Sequence, residues 1–297
     1  MNWKKFMIAG VVATLLCGEV FAGFNEDLAA AKRGDAEAQF NVGVSYANGE
    51  GVSKNLFQAV YWFRKAAEQG FAKAQYNLGV CYENGWGVSK DLFQAVYWFR
   101  KAAEQGHANA QYNLGVCYYD GEGVSKNLFQ AVYWFRKAAE QGFAGTQYNL
   151  GLCYANGRGV SKDLFQAVYW FRKAAEQGDK DAQYSLGVRY ENGEGVSKNM
   201  RTAAEWYYKA ALQGVPHAQM NLGVLYVLGD GVGKSHNKAL YWFRKAAEQG
   251  YAKAQYNLGL CYKNGWGVRK NITEAKKWFR KAAEQGLETA QEALDSL

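Results

Sequence analysis

The sequence has one proline and three histidines in 297 residues. No low-complexity tract interrupts it, so nothing marks a linker between separately folded domains. The histidines, His107, His217 and His236, stand apart from any cysteine or carboxylate set with metal-ligand spacing. A G-x-S-x-G elbow, a phosphate-binding G-x-x-x-x-G-K-[ST] loop and an H-E-x-x-H helix are all lacking. With them go common signatures of nucleophilic, phosphoryl-transfer and zinc-dependent catalysis. Beyond residue 22 no apolar run is long enough to cross a bilayer. The expectation is a chain with no catalytic residues, no metal, no cofactor and no membrane span.

What is abundant is periodic. Glycine stands at 34, 70, 106, 142, 178, 214, 250 and 286, a constant step of 36. A fixed period of this size marks a repeat architecture. Seven units follow: 35–70, 71–106, 107–142, 143–178, 179–214, 215–250 and 251–286.

The second unit shows the logic of all seven. Ala74, Leu78, Cys81 and Tyr82 share one helical stripe, and Asn84-Gly85 ends that helix because glycine takes the left-handed conformation without strain. A G-x-G-V-x-K loop comes next. It is followed by a strong capping residue in every unit: Asn55, Asp91, Asn127, Asp163, Asn199, Ser235 and Asn271. A second helix starts there, with Ala95, Trp98, Phe99, Ala102 and Ala103 as its apolar stripe and Gly106 at its close. Two helices this short cannot bury their apolar faces alone, whereas a stack of such pairs can.

L-G-x-x-Y, then G-x-G-V, then A-x-x-W-F-x-K-A-A-x-x-G at a step of 36 resembles the Sel1-like repeat family, a relative of the tetratricopeptide repeats. The resemblance spans residues 35–286. It implies an all-α fold, a right-handed superhelical α-solenoid of seven 36-residue helix-loop-helix repeats. The fifth unit departs most, in its second helix (Arg201, Tyr208, Leu212), and the sixth departs at Leu228, Gly233 and Ser235.

Residues 1–22 read as a secretory signal peptide: Lys4 and Lys5, an apolar core from Phe6 to Leu16, then Val20-Phe21-Ala22 as a cleavage site. Cleavage after Ala22 and an exported product, periplasmic or secreted, are expected. Residues 23–34 align with the end of a second helix and 287–297 with the start of a first. Both carry polar replacements suited to capping a stack.

The formal charge is +8. Much of it is periodic: Arg100 and Lys101 recur with Glu104 one turn on, a pattern expected to pair along a solvated helix face. Nucleic acid is not expected as a partner, since no recognition motif accompanies the charge. Cys81, Cys117, Cys153 and Cys261 share one repeat position. Neighbouring helices lie ~8–10 Å apart, too far for the ~7 Å limit of a disulfide, so buried free thiols are expected. Some Sel1-like proteins carry a disulfide in every repeat, but the second cysteine that this requires is missing.

The sixth position of each unit and the variable third and thirteenth positions fall on one face of the first helix. In the related tetratricopeptide proteins that face lines a concave groove that holds peptides. The resemblance makes Tyr76, Asn77, Tyr112, Asn113, Tyr148, Asn149, Tyr184, Asn221, Tyr256 and Asn257 the candidate groove. Trp86 and Trp266, in loops at the rim of two units, are candidate rim anchors, with a cover over the loop beneath as the alternative. A role for the asparagines inside each unit is the alternative. The functional reading is a non-catalytic exported scaffold that binds a protein or peptide through this groove. Two alternatives are an envelope enzyme of β-lactam-binding or hydrolysing type and an organiser of cell-wall enzymes.

Overall fold

The computed structural model describes residues 23–297; the expected signal segment lies outside them. Sixteen α-helices and no strands occur among the described residues. After α1 (Phe24–Lys32) come the pairs α2 (Ala36–Asn48) and α3 (Leu56–Glu68), α4 (Ala72–Asn84) and α5 (Leu92–Glu104), and α6 (Ala108–Asp120) and α7 (Leu128–Glu140). These are followed by α8 (Ala144–Asn156) and α9 (Leu164–Glu176), α10 (Lys180–Asn192) and α11 (Met200–Leu212), and α12 (Pro216–Leu228) and α13 (His236–Glu248). The last are α14 (Ala252–Asn264), α15 (Ile272–Ala283) and α16 (Glu288–Asp295).

The punctuation read from the sequence is what ends and starts these helices. Gly85 leaves α4 at φ 74° and returns its N–H to the Cys81 carbonyl. The Asp91 carboxylate accepts from the Phe93 and Gln94 amides at the head of α5. An N-cap of the Asp91 kind contributes ~1 kcal/mol. Pro216, the single proline, sits in the first turn of α12, where its missing N–H costs nothing.

The chain forms two compact units. The first runs to Thr146 and takes in Arg158–Ser161; the second comprises Gln147–Gly157 and Lys162–Leu297. In the first, the largest fully buried side chains are Phe63, Phe99, Phe135, Leu78 and Leu114. In the second, Phe171, Tyr207, Phe279, Leu150, Leu186, Leu222 and Leu225 play that part. Each phenylalanine ring lies against a glycine of the paired first helix. A Cβ on Gly79 would fall 2.6 Å from Phe99 Cδ1, so the small residue is what allows the helices to close.

The G-x-G loop joins one repeat to the previous one. Gly87 (φ 65°) packs so closely that a Cβ there would sit 2.1 Å from the Leu56 carbonyl oxygen at the head of α3. A buried glutamine makes a second joint. Gln75 Nε2 donates to the Ala67 carbonyl at 3.1 Å, while its Oε1 accepts from Gln105 Nε2 at 2.7 Å. The same arrangement holds at Gln111, with Ala103 and Gln141. This glutamine network binds the end of one second helix to the next repeat.

The periodic charges pair differently from the one-turn pattern expected. Arg64, Arg100 and Arg172 donate to the hydroxyls of Tyr82, Tyr118 and Tyr190 in the following repeat, at 2.8, 2.8 and 2.7 Å. Lys65 and Lys101 instead lie over the rings of Tyr61 and Tyr97, one turn back on their own helices. The reason is local. A phenol from the next repeat comes within the arginine's reach, and a ring at i−4 offers the lysine a face that needs no desolvation of a carboxylate.

Candidate interaction surface

The first-helix face is mostly filled. Tyr76, Asn77, Asn113, Tyr148 and Asn149 are buried, while Tyr112, Tyr184, Asn221, Tyr256 and Asn257 are half-buried. The first and third positions of following repeats explain much of this. His107 stacks on Tyr76 with ring centroids 4.7 Å apart, and His217 lies between Tyr184 (5.8 Å) and Tyr251 (4.5 Å). Polar atoms of the face are also used within the stack. The Tyr148 hydroxyl bonds Ser185 of the next repeat, and Asn221 bonds Tyr207. Of the variable thirteenth positions, Ala47, Tyr119 and Ala155 are buried. The tyrosines and asparagines of the first unit therefore do not form an open row; in the second unit Tyr184, Asn221, Tyr256 and Asn257 keep partial access. Trp86 and Trp266 are half-buried. Trp86 packs on the core clusters that join the first three repeats, and Trp266 stacks on His236 at 5.5 Å.

His107 illustrates the consequence. Its Nδ1 accepts from the Ala110 amide at the head of α6. Burial, and secondarily Lys73, lowers its pKa from 6.5 to about 4. The unfolded chain takes up a proton below 6.5 that the folded chain refuses until about 4. The stability associated with neutral His107 is complete above 6.5 and is lost as pH falls through that window. His107→Asn keeps a capping acceptor without the titration. Thermal melts across the window should fall less steeply for the variant; equal slopes would contradict the account.

Cys81, Cys117, Cys153 and Cys261 are buried and form no disulfide, in agreement with the helix-spacing argument. Burial pushes the thiols of Cys81 and Cys261 up to about 12 and raises Cys117 as well. Such thiols are inert while covered. Alkylation of folded protein should be slow at these four positions and complete in denaturant, without prior reduction. Fast labelling of the native chain would show that the repeats open.

The surface that sequence reading missed lies on the second helices. Phe57, Phe93 and Phe129 are each 76% exposed. One turn on, Tyr61, Tyr97 and Tyr133 are about half exposed. A further turn on, Lys65, Lys101 and Lys137 sit 5.9, 5.8 and 5.9 Å from those ring centroids. The first unit thus carries three rungs of Phe, Tyr and Lys. Within the second unit, Phe165, Tyr169 and Lys173 make a rung of the same kind. At the same places the fifth repeat has Arg201 and Glu205, paired at 3.5 Å, and the seventh has Thr273 and Lys277. The helix forms equally well with polar residues there, so the fold does not require the aromatics. Helix periodicity held the signal: positions 57 and 61 lie outside the stripe that closes on the first helix.

The Sel1 repeat family model matches residues 36–71, 72–107, 108–143, 144–179, 180–215, 216–251 and 252–287, one residue later than the glycine count sets them. The chain belongs to the Sel1-repeat family. Two solved structures agree. One is c5321, a protective antigen present in uropathogenic Escherichia coli strains displaying an SLR fold, with 41% identity over 93% of this chain and a TM-score of 0.87. The other is a Sel1 repeat protein from Oxalobacter formigenes, with 35% identity over 96% of this chain and 84% of its own, and a TM-score of 0.71. This chain spans 59% of the length of the Escherichia coli antigen. No curated protein matches it. Sel1-repeat proteins are generally protein-interaction scaffolds and are typically non-catalytic. Among the described residues no helix is long and apolar enough to cross a membrane.

Proposed function

We propose that this Sel1-repeat protein is an exported, non-catalytic scaffold that docks a protein partner on the aromatic rungs of its second helices. One observation carries the proposal: the exposed phenylalanines of the first four repeats occupy positions the fold fills with polar residues elsewhere. An aromatic side chain can bury about 150–250 Å², and exposed apolar side chains gathered into one patch mark an interaction site. Three rungs offer enough area for a specific interface of ordinary size. The lysine behind each tyrosine favours a partner whose apolar side chains are flanked by carboxylates.

Export rests on the basic, apolar and small-residue order of residues 1–22, with the half-repeats at 23–34 and 287–297 as caps. The 41%-identical relative is described as a protective antigen, which suits an exported chain. N-terminal sequencing of the cellular protein should begin at Gly23; an intact Met1 in a cytosolic fraction would end this part of the proposal.

The docking surface is tested by placing a photoreactive phenylalanine analogue at 93 or 129, and separately at 184 or 256, in cells. Crosslinks to one discrete protein from 93 and 129 are the expected result. Crosslinks confined to 184 and 256 would return the site to the first-helix groove, where those tyrosines keep partial access.

A further inference from the structure

The complete Phe-Tyr-Lys rungs end with the fourth repeat, the sixth keeps only Tyr241 and Lys245, and a cleft lies at the break in the fifth. It has a volume of about 520 Å³ and lies between α11, α12, the loop at Gly231 and α13. Its charged groups are Arg201, Glu205 and Lys238; its ring-bearing walls are Tyr208, Tyr226 and Trp242. Ala204, Leu222 and Val232 supply an apolar floor.

Five substitutions account for this site. Arg201, Ala204, Glu205, Tyr208 and Lys238 stand where the first two repeats have Phe57, Val60, Tyr61, Arg64 and Gln94. In the first pair of repeats Arg64 reaches across to the Tyr82 hydroxyl and lies 6.0 Å from that ring's centroid. At the break its counterpart is Tyr208, so no arginine spans the gap to Tyr226. Ala204 removes two methyl groups from the floor. Lys238 places its ammonium 5.2 Å from the centroid of the Tyr226 ring, while Arg201 is held by Glu205 at the rim. Tyr208 and Trp242 meet edge to face at 5.9 Å, a wall that accepts a third ring.

We infer that this cleft is a binding site for an aromatic carboxylate, such as an aromatic residue at the C-terminus of a peptide. The ring packs against the wall formed by Tyr208 and Trp242, over Ala204 and Val232, and the carboxylate takes the Lys238 ammonium. The volume is in the range of small-ligand sites, and the balance of apolar walls with one directed cation is what such sites use to fix orientation. The site is separate from the docking surface proposed above, because the changes that make it remove the rung of the fifth repeat.

The test is a titration with N-acetyl-L-phenylalanine, followed by NMR shifts of the Trp242 indole in the full chain, with N-acetyl-L-phenylalaninamide as the comparison. The acid is expected to bind saturably and at least about tenfold more tightly than the amide. Lys238→Gln, which takes the residue of the first two repeats, should remove that preference. Ala204→Val with Tyr208→Arg rebuilds the regular packing and should abolish binding while leaving the helical content intact. Equal binding of acid and amide, no saturable shift, or binding retained by the refilled cleft would overturn the inference.

Discussion

Gly123→Ala should destabilise the middle of the array by about 4 kcal/mol or more, which would make it one of the rare severe point changes. Two costs combine. Gly123 has φ 68°, a conformation that costs a side-chain-bearing residue ~1–2 kcal/mol. Its new Cβ would also lie 2.1 Å from the Leu92 carbonyl oxygen and 2.5 Å from the carbonyl carbon. Those atoms belong to the first turn of α5 and cannot rotate away, so the loop must lift off the preceding repeat. Gly142→Ala is the control. It too has a positive φ, 97°, but open space around the added methyl. It should cost only the conformational ~1–2 kcal/mol. Hydrogen exchange in denaturant separates the two, because stability in a repeat array is local. A loss at Gly123 no larger than that at Gly142 would mean the loop is not the joint.

Phe135→Ala should cost ~3–5 kcal/mol, the range for emptying a fully buried aromatic site. Its partner Gly115 makes the more telling comparison. A Cβ there would fall 2.6 Å from both Cδ1 and Cε1 of Phe135. Gly115→Ala alone overpacks the pair and should cost ~1–3 kcal/mol. Added to Phe135→Leu, the same alanine meets a smaller, more pliant side chain, and its cost should fall to less than half. Independent, additive losses would show that the glycine matters for something other than ring clearance.

The period of 36, the helix pair and the caps were all legible, because glycine, asparagine and aspartate act through local geometry that a single strand of text preserves. Gly85 and Asp91 are examples: each caps its helix through atoms fewer than five residues away. The groove was not legible. Whether Tyr76 is open depends on His107, a residue of the next repeat whose ring reaches back over it. Family likeness placed the tyrosines on one face of the first helix but carried no information on how closely the following repeat covers it. The second helices failed in the opposite sense. Phe57 and Phe63 are the same residue type on the same helix, yet one is exposed and the other 1% exposed. Only the angle between positions 57 and 63 tells them apart. The paired charges show a third limit. Arg100 and Glu104 satisfy the one-turn rule, and the hydrogen bond formed goes to Tyr118 instead.

The central claim, docking on the second helices, is tested most directly by affinity for the crosslinked partner. Phe93→Arg with Tyr97→Glu copies the Arg201–Glu205 pair that the fifth repeat already carries, so the helix should form unchanged. Tyr184→Ala with Tyr256→Ala thins the first-helix face. Isothermal titration of the partner should show the first variant weakened by ~1–3 kcal/mol per lost anchor and the second close to the parent protein. A second-helix variant that stays folded and binds as before, beside a first-helix variant that does not bind, would contradict the account.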